Sequence, residues 1–232
     1  MWVAGGVTVL AVLAAALWTV PRWLVAPIAA HSPRCLFAVD TSEHVVALTI
    51  DDGPDATHTP AILDVLRTHE AHATFFLISS RVRGLEALVA RAVREGHELG
   101  NHLVHDAPSI RRPADTFASD LRTAGDVLGR FGAVRWLRPA SGWYSDVMLD
   151  GIEREGYRCA LGSIYPYDAH HPSARLSSAY VLANARPGAV IVLHDGRSRG
   201  RRTVEVLRRV LPALRSRGYR VVTLSELAGP RR

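Results

Sequence analysis

A chain of 232 residues with 48% hydrophobic and 22% charged residues can bury a substantial core, which excludes an intrinsically disordered protein. Its length suits one large domain with at most a short appendage. The formal charge is +6, and all 28 basic residues are arginine. No basic patch interleaved with aromatic residues accompanies that charge. It therefore suits an anionic wall polymer or a lipid headgroup layer, and no nucleic-acid partner is expected.

Residues 2–20 carry no formal charge and are almost all Ala, Val, Leu, Gly and Trp. About 20 such residues span the hydrocarbon core of a bilayer. No positively charged segment precedes the run, and residues 26–30 match a cleavage site poorly, so residues 1–30 read as an uncleaved hydrophobic anchor rather than a cleaved signal segment. Arg22 and Arg34 pull against export, and the charge pattern leaves the direction of the anchor open. The expectation is a membrane-anchored or secreted protein whose catalytic domain lies outside the cytoplasm. Residues 31–43 read as a linker and residues 44–228 as a single domain. The two cysteines, Cys35 and Cys159, allow either a disulfide or a pair of buried thiols.

Beyond the linker, apolar runs at 44–50, 72–77, 97–101, 133–138, 157–163, 189–194 and 219–223 predict strands. Helix-like stretches separate them. Thr59-Pro60, Asp115 and Ser145 are start signals, and Gly218 closes a last long helix over about residues 202–217. Strands alternating with helices predict a mostly parallel sheet. The expected fold is a distorted (β/α) barrel of about seven parallel strands, with an open doubly wound sheet as the alternative.

The first strand ends in Asp51-Asp52-Gly53-Pro54, which delivers two acids to the rim of a sheet. One can hold a metal while the other takes a proton. Gly100-Asn101-His102-Leu103-Val104-His105-Asp106 follows the third strand. His102 has i,i+4 spacing to Asp106 and i,i+3 spacing to His105, so either pair can share a face. Asp52 with one of those pairs makes three protein ligands and an open position, as hydrolytic metal sites have. Arg138, at the end of the fourth strand, can orient a carboxylate and lower its pKa. The Pro139–Gly142 turn after it, including Ser141, can offer backbone N–H groups to an oxyanion. His194 ends the strand Ile191-Val192-Leu193 and, facing Asp51, is a candidate general acid; Leu193 is a candidate wall of an apolar pocket. In parallel α/β folds the strand C-terminal ends form one face, so these scattered residues converge.

Thr49-Ile50-Asp51-Asp52-Gly53-Pro54, Gly100-Asn101-His102 with a trailing ligand, Arg138-Pro139-x-x-Gly142 and Ile191-Val192-Leu193-His194-Asp195 resemble, in order and spacing, the motifs of the polysaccharide deacetylases, carbohydrate esterase family 4. The ending Gly218-Tyr219-Arg220-Val221-Val222-Thr223-Leu224 is similar as well, and the resemblance spans about residues 44–228. It implies Asp51 as general base, Asp52 and His102 as metal ligands, His194 as general acid and Arg138 as the arginine orienting the base. Asp168 matches, most loosely, the aspartate that tunes the catalytic histidine. It also implies a divalent metal, zinc first, with cobalt, nickel or manganese as alternatives.

The chain departs from that pattern in several places. The family's second histidine stands four residues after the first, where this chain has Asp106; His105 is one position early and is the alternative third ligand. A site of two carboxylates and one histidine is harder and more anionic, which weakens the preference for zinc. Leu103 replaces a hydroxyl residue after His102, and Ser141 stands where a tyrosine is common. No tryptophan follows Asp168, so Trp143 or Tyr144 is the candidate groove wall.

The expected function is hydrolytic removal of N-acetyl groups from an N-acetylated glycan of the chitin oligomer or peptidoglycan type. Two other readings stay open: a C–N hydrolase of a small amide or imide, and a non-catalytic, membrane-anchored glycan-binding protein, motivated by the altered third ligand.

Overall fold

The computed structural model describes residues 22–170 and 173–229. The expected anchor, residues 2–20, lies outside them. Among the described residues no helix is long and apolar enough to cross a membrane.

In chain order the elements are α1 (Arg22–His31), β1 (Cys35–Leu36), β2 (Val45–Gly53), α2 (His58–Thr68), β3 (Thr74–Leu77), α3 (Glu86–Arg94), β4 (Glu98–Asn101), α4 (Ala114–Leu128) and β5 (Trp136–Leu137). They continue with α5 (Asp146–Arg154), β6 (Arg158–Ala160), α6 (Ala174–Asn184), β7 (Val190–His194), α7 (Arg197–Ser216), β8 (Arg220–Val222) and α8 (Leu224–Ala228). The sheet runs β1-β6-β5-β4-β3-β2-β7, with β8 also on β2, and every ladder is parallel. Among the described residues, isolated bridges join its two ends, Ala38 to Ala189 and Ile164 to Ile191. The fold is thus the expected distorted α/β barrel. The seven predicted runs each contain a strand, and β1 is an eighth, inside the segment read as linker.

β2 is the axis of the molecule, and all nine of its residues are buried. Successive side chains of a strand point to opposite faces. Val46, Leu48 and Ile50 pack outward with Ile62, Leu66, Leu207 and Leu211 of the surrounding helices. Val45 and Ala47 point inward with Phe76, Trp136 and Val222, beneath a plug made by Leu224 and Leu227. Thr49 and Asp51 continue that inward row toward the strand's C-terminal end. The alternation then breaks: Asp51 pairs with Phe76 and Gly53 with Leu77, so Asp52 is the extra residue of a bulge and takes φ 70°. A bulge re-aims a side chain, and here both neighbouring acids reach one end of the barrel.

The helix starts follow local chemistry. Ser145 caps α5 by accepting from Met148 N, as expected from sequence. At α2 the cap is Asp55, whose carboxylate accepts from the N–H groups of Thr57 and His58. The long helix α7 begins at Arg197, earlier than the expected residue 202. Its early turn packs on α2 at Gly200, where a Cβ would lie 2.4 Å from His58 Cβ; only glycine permits that approach.

Candidate active site

The catalytic candidates gather at the strand C-terminal ends. Arg138, just beyond β5, points back into the barrel, where its Nη1 donates to Asp51 Oδ1 at 2.6 Å and to Thr49 Oγ1 at 2.8 Å. Its Nε donates to the Ala160 carbonyl at 3.0 Å, and its guanidinium lies 4.2 Å from the Phe76 ring centroid. Three strands, β2, β3 and β6, therefore fix one arginine, and the arginine fixes Asp51. Among the described residues Arg138 Nη2 has no hydrogen-bond partner.

Asp52 faces His102, with Oδ1 3.3 Å from Nε2, and both side chains are buried. His102 Nδ1 lies 2.8 Å from the Arg138 carbonyl oxygen, which can only accept, so Nδ1 carries the proton and Nε2 is turned to Asp52. The loop that presents His102 is held by Asn101, whose Nδ2 donates to the Leu121 carbonyl and whose Oδ1 accepts from Leu103 N. Leu103, the departure from the family pattern, is buried with φ 66° and packs with Phe117 and Leu137. Burial pushes the Asp52 carboxyl up, yet the hydrogen bond and charge of His102, with His194 and Arg199, outweigh it and hold it at about 2. Burial opposes charge on His102 too, but Asp52 and Asp51 raise it above an ordinary histidine. One carboxylate oxygen and one imidazole nitrogen, converging with the tautomer set from behind, fit a divalent metal.

His194, the last residue of β7, is registered beside Asp51 of β2. Its Nδ1 lies 3.1 Å from Asp168 Oδ1, while its backbone N–H donates to Asp168 Oδ2 at 2.9 Å. Asp168 is fully buried, and Arg202 of α7 donates to its carbonyl. Burial lowers the His194 pKa, but the Asp168 hydrogen bond and charge, with Asp51 and Asp52, raise it to about 9.

Asp106 does not join Asp52 and His102. Its Oδ2 accepts from Arg81 Nη2 at 2.9 Å and from Arg199 Nη2 at 3.4 Å. Arg199 also puts Nη1 2.8 Å from Asp52 Oδ2, and Arg81 donates to the Asp52 carbonyl. His105 is exposed. Among the described residues the group of three whose ligand atoms all lie within 4.8 Å is instead Asp55, His58 and Asp195. That group is committed to the fold. Asp55 Oδ1 caps α2 and also meets His58 Nδ1, while Asp195 accepts from Gly196 N and Thr59 Oγ1. Burial pushes the Asp195 carboxyl up to about 6.

Ser141 takes φ 65° in the turn after Arg138, and Trp143 is 68% exposed beside it. Leu193 is buried next to Ile50 in the main core. Asp52, Leu103, Ser141 and Tyr167 all hold left-handed backbone, and each lies at or next to a candidate site residue. Such strain concentrates where geometry is over-determined by its surroundings. Three contributors escaped the sequence reading. Thr49 was findable, because it stands two residues before Asp51 on the same strand face. Arg81 and Arg199 carry no sequence signal in a chain with so many arginines.

The polysaccharide deacetylase family model matches residues 38–160. A peptidoglycan-N-acetylglucosamine deacetylase of Bacillus cereus is 36% identical over 198 residues, covering 82% of this chain and 90% of the relative. A chitooligosaccharide deacetylase of Sinorhizobium fredii is 34% identical over 194 residues, covering 78% and 90%. A family 4 acetyl xylan esterase from Clostridium thermocellum, solved with a cobalt ion, superposes with a TM-score of 0.73 at 31% identity, covering 79% of this chain and 89% of the esterase. With these motifs on one barrel end, this chain belongs to the polysaccharide deacetylase family.

Proposed function

We propose that the chain is a metal-dependent N-deacetylase that hydrolyses N-acetyl groups of an N-acetylglucosamine-containing glycan, of the peptidoglycan or chitin-oligomer type. The observation that carries this reading is the juxtaposition of two acid–base units, Asp51 held by Arg138 and His194 held by Asp168, at strand ends beside Asp52 and His102. Asp52 and His102 hold the metal, with Asp106 as the third ligand when it leaves its arginines; His105 is the alternative. The metal, zinc first and cobalt, nickel or manganese next, supplies Lewis acidity toward the acetyl carbonyl and a water.

Asp51, fixed through Oδ1 by Arg138, takes a proton from the attacking water. In the Pro139–Gly142 turn the Gly142 N–H is donated to the Pro139 carbonyl, which leaves the Ser141 N–H as the candidate donor to the developing oxyanion. His194, protonated at neutral pH, gives its proton to the departing amine nitrogen, and Asp168 stabilises the charged ring until it does. The products are acetate and a free amino sugar. Trp143 offers the sugar face an apolar platform. Residues 2–20 tether the domain to a membrane on the side where wall glycans lie.

The test is acetate release from N-acetylglucosamine oligomers and from peptidoglycan, with acetylated xylan in parallel, with and without zinc or cobalt. Metal-dependent release from the amino-sugar substrates is the expected result, abolished in Asp51→Asn. Release only from xylan moves the reading to an esterase. No release from any glycan by metal-loaded protein overturns it.

A further inference from the structure

Arg199 has no part in the chemistry above, yet it touches the heart of the cation site. One guanidinium nitrogen lies 2.8 Å from Asp52 Oδ2 and the other 3.4 Å from Asp106 Oδ2. Arg81 adds a second clamp, donating to the Asp52 carbonyl and to Asp106 Oδ2. Asp106 is a carboxylate where the family pattern has a neutral histidine, so it attracts arginines as well as cations. Arg199 stands in the first turn of α7, which begins at Arg197 and packs on α2 at Gly200.

On the reading that Asp52 and His102 hold a divalent cation, we propose that Arg199 gates that site. By occupying Asp52 at 2.8 Å and sharing with Arg81 the hold on Asp106, it lowers the affinity of the site for the cation. The guanidinium carries a positive charge on the same carboxylate that the cation needs, and like charges sharing one buried carboxylate repel. Cation binding therefore requires Arg199 to release at least one acid. The substitution at position 106 thus changes the loading of the metal rather than abolishing the site.

The measurement is zinc affinity of the full chain by competition with a chromophoric chelator, for the wild type, Arg199→Gln, Asp106→Ala and the double variant. Arg199→Gln binds zinc at least about tenfold tighter, on the scale of a ligand-supporting partner. Asp106→Ala alone changes little, because Asp106 is already held by Arg81 and Arg199, and Arg199 stays on Asp52. In the Arg199→Gln background the same change loses most of the gain. Arg201→Ala, an exposed residue paired with Glu205, is the control and leaves affinity unchanged. Affinity in Arg199→Gln equal to or weaker than wild type overturns the gate, and so does zinc binding to none of the variants. If Arg199→Gln does not fold, Arg199→Met decides by the same criterion, since it removes the charge and both donors while keeping an unbranched side chain. Acetate release on the same samples separates the two readings. The affinity pattern without deacetylation sinks the glycan reading alone, and deacetylation without the pattern sinks the gate alone.

Discussion

Arg138 Nη1 lies 2.6 Å from Asp51 Oδ1, and the two side chains are only 3% and 5% exposed. A buried pair of this kind is costly to break, because the surviving partner is left charged in the interior. Arg138→Met is expected to destabilise the fold by about 3–5 kcal/mol, read from urea unfolding. Asp51→Asn keeps an oxygen for the arginine but cannot accept the proton of water. Its deacetylation rate falls roughly 10²- to 10⁴-fold with the circular dichroism spectrum unchanged. A variant keeping more than a tenth of the rate would remove Asp51 from the role of base.

The His194–Asp168 pair makes a titration testable. The folded His194 pKa of about 9 lies above its ordinary 6.5, so the stability tied to its protonation is complete below about pH 6.5. That contribution is lost as the pH rises through 9. In Asp168→Asn the hydrogen bond and charge that contribute most to raising the pKa are gone, while burial, Asp51 and Asp52 remain, and the midpoint falls. Imidazole resonances followed against pH in chelator-treated protein read this directly. An unshifted midpoint in Asp168→Asn would assign the elevation to Asp51 and Asp52 instead.

Much of this site is legible in the chain because its residues sit where strands end. Asp51, His102, Arg138 and His194 each close or follow an apolar run, and parallel topology does the rest. What strand periodicity cannot show is the bulge at Asp52, since two-residue alternation would send Asp51 and Asp52 to opposite faces. The arginine contacts of Asp106 were equally hidden. They depend on how the turn of α7 and the loop after β3 come together in space, and nothing local in the sequence distinguishes Arg81 or Arg199 from neighbouring arginines. The two-residue strand β1 is too short to register as a periodic run.

Trp143, 68% exposed beside the Arg138 turn, is a large apolar surface that the core does not use. A sugar ring laid on it buries its apolar face. Trp143→Ala therefore raises KM for long oligomers several-fold, leaves kcat near wild type, and changes stability by less than about 0.5 kcal/mol. Equal KM values for variant and wild type on oligomers of every length would remove the indole from the binding surface.

Cys35 and Cys159 face each other in register on the parallel neighbours β1 and β6, with their sulfurs in contact. The Cys159 hydrogen bond makes Cys35 the easier thiol to deprotonate, while burial and the shared hydrogen bond push Cys159 up. Such a pair is set for oxidation by a disulfide donor: Cys35 thiolate attacks a donor sulfur, Cys159 displaces it, and the donor leaves as two thiols. The product ties β1, the edge strand that follows α1, to the barrel across a long stretch of chain. Cross-linking residues so distant stabilises by about 5 kcal/mol in the chain-entropy account, provided the native geometry accepts the bond. Intact mass after treatment with oxidised glutathione is expected to fall by two hydrogens, with a single protected cysteine pair on peptide mapping and a raised Tm that reductant reverses. A glutathione adduct on Cys35 that never resolves would instead show that β1 holds the sulfurs out of line for exchange.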